Sequence, residues 1–145
     1  MKGRRGKRAD KGAPALAGLV LDAGALQALE QRHLRLLVDL RRAYDHGLPI
    51  RIPAGALAQA WRGGPRSAAL ARLLKQPCSV VQVDERSAKS IGEFLASLRL
   101  SEPAKPDLVD AHVALLARAT RSLVWTSDPK DLARYRVDAD FIRKL

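Results

Sequence analysis

Four short apolar runs, "LAGLVLD" at 16–22, "PIRIP" at 49–53, "SVVQVD" at 79–84 and "RSLVWTSD" at 121–128, are each followed by a stretch whose apolar residues recur at helical spacing. That alternation limits the fold more than any other feature of the chain. A strand that is apolar on both faces must be covered on both, and strands joined through helices run parallel. The pattern predicts an α/β fold, a single domain over 15–145 with a parallel sheet and helices on both faces. A length of 145 residues fits one such domain with a substantial core.

Between the runs, "AGALQALEQRHLRLLVDLRRAYDHG" reads as two helices or one bent helix, ended by Gly47 and Pro49. "AGALAQAW" and "PRSAALARLLK" read as two helices separated by Gly63 and Gly64. "ERSAKSIGEFLASLRL" has the spacing of an amphipathic helix, "EPAKP" that of a loop, "KPDLVDAHVALLARA" that of a largely apolar helix, and "PKDLARY" that of a short one.

No apolar run approaches the ~18 residues that a membrane-spanning helix needs, so no membrane role is expected. The single cysteine, Cys78, cannot pair within the chain, and in "QPCSVVQV" it reads as the start of a buried strand. A reducing, cytoplasmic setting fits that usage. The basic start and "APALAGLVL" have the outline of a secretory leader, but Asp22 interrupts it before the small residues at 23–25.

The formal charge is +11. Residues 1–12 hold six Lys or Arg against one Asp, which leaves +6 on the rest. Residues 1–14 are therefore expected to be a basic, disordered tail on a basic body. Such a chain suits a polyanionic partner, because each cation placed on a phosphate releases counterions. A solubilising tail on an arginine-rich protein is the alternative.

Against that background the acids stand out. In open parallel sheets ligands bind beyond the carboxyl ends of the strands, where neighbouring connections diverge. Asp22, Asp84 and Asp128 follow three of the predicted strands, and Asp107 and Asp110 open the apolar helix. Taken singly, each has a structural explanation: Asp107 and Asp128 have the form of helix caps, with Asp110 and Asp131 three residues on. Asp84, with only Glu85 beside it, most simply opens the next helix.

Taken together, Asp22, Asp107, Asp110 and Asp128 converge at one edge if the first and last of these strands are neighbours. Carboxylates gathered at one site repel unless protonated or joined by a cation, and a hard ion such as Mg²⁺ or Mn²⁺ takes oxygen ligands. Such an ion can polarise a phosphate and activate water, the metal-assisted route to phosphodiester hydrolysis. His33, His46 and His112 are scattered, no nucleotide-binding glycine motif is present, and no Cys/His spacing suits zinc. His112, within the apolar helix, reads as structural.

"LVLDAGAL" at 19–26, "IPAGALAQAWRGG" at 52–64, "DLVDAHVALLA" at 107–117 and "VWTSDPKDL" at 124–132 occur in the order found in PIN-domain proteins. Over about residues 17–135 the chain resembles the VapC-type ribonuclease toxins of bacterial toxin–antitoxin pairs. The resemblance implies a Mg²⁺- or Mn²⁺-dependent endoribonuclease that cleaves single-stranded RNA, with a cognate antitoxin and a second copy of the chain as candidate partners. It assigns Asp22, Asp110 and Asp128 to the metal, adds Asp107 as a further acid, and puts Thr126 and Ser127 at the pocket edge near phosphate or water.

One position departs from the pattern. Gln59 stands where the family usually has a glutamate, which removes a formal charge and weakens the expected metal affinity. Glu30 lies eight residues and, on an unbroken helix, about 12 Å of rise from Asp22, too far for an easy substitute. The departure admits a second reading, a catalytically weakened or inactive module that binds RNA or a partner. Arg62 and Arg66, with Trp61 beside them, are candidates for an RNA track, against the plainer reading of a solvated helix face and a core tryptophan. "LRLLVDL" at 34–40 suits core, a dimer surface or an antitoxin groove equally.

Overall fold

Leu19, Val20 and Leu21 form the central strand β1 (Leu19–Leu21), and all three side chains are buried because the strand is covered on both faces. The computed structural model describes residues 16–98 and 107–145. The tail expected at 1–14 and the loop expected at 102–106 lie outside the described residues.

Four further strands, β2 (Ile50–Pro53), β3 (Ser79–Val81), β4 (Leu123–Thr126) and β5 (Ile142–Lys144), complete one sheet in the order β3-β2-β1-β4-β5. Every adjacent pair is parallel, with Leu19 opposite Ile50, Leu21 opposite Trp125, Ile52 opposite Val80 and Val124 opposite Ile142. The first strand and "RSLVWTSD" are therefore neighbours, which meets the condition for their acids to converge.

Successive strand residues face opposite sides, which divides the core in two. Leu19, Leu21, Ile50, Ile52, Leu123 and Trp125 face α1 (Ala23–Glu30), α2 (Leu34–Asp45), α3 (Ala54–Ala60) and α4 (Ala68–Leu74). Val20 and Val124 face α5 (Glu85–Leu98), α6 (Leu108–Thr120) and α7 (Pro129–Arg134). Each fully buried Leu, Ile or Val contributes about 1.5–3 kcal/mol by leaving water.

The region read as two helices or one bent helix is two. Arg32, at φ 53, breaks the chain after α1, and the His33 ring accepts the Leu36 N–H at 3.3 Å to start α2. Gly47, at φ 63, ends α2 with a backbone geometry that an L side chain rarely adopts. Trp125, buried beside His33, donates its indole N–H to Asp39 at 2.9 Å, which satisfies a polar atom inside the first core.

Two features differ from expectation. The strand in "QPCSVVQV" is an edge strand rather than a buried one: Ser79 and Val80 are exposed and Cys78 is half-buried, and among the described residues no strand pairs with β3 on its outer side. The second is β5, a three-residue edge strand with no counterpart in the sequence reading. Its "IRK" carries two cations and too few residues to register as a strand pattern. Among the described residues, no helix is long and apolar enough to cross a membrane.

Candidate functional site

The chain leaves β1 for α1 on one face of the sheet and leaves β4 for α7 on the other, so a crevice opens between the carboxyl ends of these adjacent strands. Asp22 follows β1 directly. Its Oδ1 accepts the Ala25 N–H at 2.8 Å and caps α1. Thr126, the last residue of β4 and only 2% exposed, accepts the Asp128 N–H on its hydroxyl oxygen at 3.0 Å. The same hydroxyl offsets part of the effect of burial on the Asp22 carboxyl.

Asp128 in turn caps α7, accepting the Asp131 N–H at 3.1 Å, with Pro129 at the first helical position. From the other side, α6 begins at the level where the strands end. Asp107 caps it, accepting the Val109 and Asp110 N–H groups on Oδ1 at 2.7 and 3.0 Å, and the Tyr135 hydroxyl accepts the Asp107 N–H at 2.9 Å. The capping explanation of Asp22, Asp107 and Asp128 is thus correct.

Asp22, Asp110 and Asp128 line a cavity of about 200 Å³ together with Gln59, Ser127 and Asp131, whereas Asp107 does not line it and bears on it only through the charge it places near Asp110. Larger cavities, of about 710 Å³ beside Tyr44 and Cys78 and about 640 Å³ between α2 and α4, each gather at most one carboxylate. Chemistry rather than size therefore singles out the small one. Gly24 also borders it, and a Cβ there would stand 2.6 Å from Ser127 Oγ, so a larger residue would make the serine hydroxyl turn away.

The electrostatics record the crowding. Burial first, and then the charges of Asp107, Asp131, Asp22 and Asp128, raise the Asp110 carboxyl to about 6. Burial also raises Asp22, opposed by the Thr126 hydroxyl and the Ala25 and Gly24 N–H groups. Asp131 is raised by burial and by Asp128, while Arg134, 3.3 Å away, pulls it back. Asp131 is the residue sequence reasoning missed. Its i+3 spacing from Asp128 was read as a helix-start signal, although the same spacing turns it back toward the cap and into the cavity.

Gln59 lines the cavity from α3, where the usual glutamate was expected. Glu30 does not substitute for it: its Oε1 accepts the Ala69 and Leu70 N–H groups at 2.9 and 3.3 Å, at the start of α4. Asp84 sits outside the site and caps α5 through Ser87, as its position suggested. His112 is buried in the second core, where desolvation holds its imidazole below the usual range. Arg62 and Arg66 are exposed and do not line the cavity. Trp61 is exposed as well, which corrects the core-tryptophan reading; the core indole is Trp125.

Among the described residues, no three acid, thiol or imidazole groups stand ready to hold a metal ion as placed. Each capping aspartate has one oxygen turned onto backbone N–H groups. The donor set nevertheless suits a hard cation. Asp22, Asp110 and Asp128 offer only oxygen, share one cavity, and carry like charges that a divalent ion would relieve. No family model matches the chain, and neither does any curated protein.

Proposed function

We propose that this cavity is the centre of a metal-dependent endoribonuclease of the PIN type. The observation that carries the reading is the one cavity that Asp22, Asp110, Asp128 and Asp131 line from three separate stretches of chain. An acidic cluster at the β1/β4 crevice of a chain with net charge +11 has no evident structural purpose beyond the caps it also supplies. Asp22, Asp110 and Asp128 would hold Mg²⁺ or Mn²⁺, which supplies Lewis acidity at a phosphate oxygen when bound.

The chain's own groups do the positioning. Asp107 fixes the first turn of α6, and with it the direction of the Asp110 carboxylate. Thr126 holds the backbone of Asp128 through its hydroxyl. Ser127 and Gln59 present a hydroxyl and an amide to the same space, suited to phosphate oxygens or water. The setting would be cytoplasmic, and a toxin role with a cognate antitoxin follows from the same resemblance.

Asp22→Asn tests the assignment. It keeps the shape and the cap but removes a charge, so Mn²⁺-stimulated cleavage of single-stranded RNA should disappear while the melting temperature holds. Cleavage at the parental rate by the purified variant would defeat the proposal.

Gln59 favours a second reading, an RNA- or partner-binding module whose catalysis is weakened or lost. That module would bind RNA in a salt-dependent way without metal-dependent turnover. Gln59→Glu separates the two: a large gain in cleavage marks a framework lacking one ligand, whereas an unchanged rate in an active parent marks a site that works without it.

A further inference from the structure

Large aromatic side chains are seldom left in water without a reason, and Trp61 is 42% exposed although the chain has only two tryptophans. Its backbone closes α3, donating its N–H to Leu57 O at 2.8 Å, and then turns extended at ψ 129. The turn beyond is pinned from beneath. Ser67, 1% exposed, accepts the Arg62 and Gly63 N–H groups on its hydroxyl at 2.8 and 3.1 Å. The Arg62 guanidinium folds back to donate to Trp61 O at 2.9 Å. The indole is thus presented on a fixed turn.

Its place relative to the acidic cavity is limited by the chain. Gln59 lines that cavity and Trp61 follows two residues on at the end of the same helix, so the two backbones lie within ~7 Å while the indole stands outside the lining, on a different face of the helix end. Arg62 and Arg66 flank it, both exposed and neither in an ion pair with a described carboxylate. Trp61 is the one large apolar side chain at the surface between Gln59 and Ser67. A protein-docking patch needs contiguous apolar area, whereas an exposed indole with Arg62 and Arg66 close by in the chain has the composition of a base-stacking platform beside a phosphate track.

We infer that Trp61 stacks on an unpaired base of the nucleic acid whose phosphate enters the acidic cavity, with Arg62 and Arg66 on neighbouring phosphates. Trp61 is then a positioning residue that makes the site prefer single-stranded over duplex substrate, because a paired base has no free face to offer. This rests on the ribonuclease reading of the cavity.

The test uses the full chain and a 12-nucleotide single-stranded RNA of mixed sequence. Emission is titrated with chelator present, so that binding is read without cleavage. Trp125 is 3% exposed and shielded, so the parent should lose emission on adding the single strand. The same RNA as a duplex should have little effect, and Trp61→Phe should show no change. With Mn²⁺, Trp61→Ala should raise KM about tenfold at nearly unchanged kcat, and Trp61→Phe should recover most of that loss.

Unchanged KM and unchanged single-strand affinity in Trp61→Ala would overturn the inference, while the loss of cleavage in Asp22→Asn would leave the ribonuclease reading standing. A change of oligomeric state in Trp61→Ala without RNA-dependent emission in the parent would overturn it too, and would assign the indole to contact between copies. Parental cleavage by Asp22→Asn would instead defeat the underlying reading, whatever Trp61 does.

Discussion

Asp110 carries a cost that its neighbours impose. In the unfolded chain its carboxyl ionises near 3.8, and in the fold near 6. Between those values the folded state keeps a proton that the unfolded state has released. Stability therefore falls as pH rises from about 4 to about 6, and the deficit is fully present at neutral pH. The gap corresponds to roughly 3 kcal/mol, which solvent screening of a half-buried group reduces to about 1–2 kcal/mol. Asp110→Asn, which cannot ionise, should melt about 2–6 °C above the parent at pH 7 and show little advantage at pH 4. Thermal melts at the two pH values check this, and an equal shift at both would show that charge crowding is not the cause. The same variant should lose the Mn²⁺-induced rise in melting temperature expected of the parent, since a bound ion relieves in the parent the repulsion the amide has already removed.

Single elements show where sequence reasoning succeeds and where it stops. Strand β1 was legible because a strand buried on both faces leaves an uninterrupted apolar run, and α1 because Asp22 caps it in a recognisable way. Strand β3 carries a similar run, "SVV", yet lies at the sheet edge; sequence records how apolar a strand is but not which strand pairs on its outer side. Strand β5 is held by pairing with β4, a long-range contact that three residues cannot announce. The acids of the site were legible by position, whereas Asp131 was hidden because its spacing had a sufficient local explanation. Glu30 is the reverse case, an acid close enough in sequence to the site to be weighed as a ligand, which the fold uses as a cap from outside α4. Glu30→Ala should therefore lower stability by about 0.5–2 kcal/mol, as the loss of a helix cap does, and leave the metal dependence of cleavage unchanged. Chemical denaturation and Mn²⁺ titration of the two proteins separate these effects, and a raised metal requirement in Glu30→Ala would return it to the site.

At the scale of the whole molecule, the parallel sheet turns five scattered aspartates into one negative point on a positive chain. The two signs have different work. On the ribonuclease reading, a polyanion would be attracted by the cationic body over a distance of about one Debye length, ~10 Å at 0.1 M salt, but would finally have to bring a phosphate against carboxylates. Without a divalent ion, the last step opposes the first. RNA affinity should therefore fall steeply with monovalent salt, by about 0.7 in log K per log unit of salt for each phosphate neutralised on a single strand. Adding Mn²⁺ at constant ionic strength should strengthen binding by the parent and do so much less for Asp22→Asn. Removing residues 1–12, which hold +5 of the +11, should lower the salt slope while leaving the gain from Mn²⁺ in place. Filter binding of a non-cleavable single strand across 50–300 mM salt, roughly the range in which such slopes are resolved, measures all three quantities. If Mn²⁺ strengthened binding equally in the parent and in Asp22→Asn, the ion would be acting through the RNA or the basic surface, and the acidic crevice would not be where the phosphate goes.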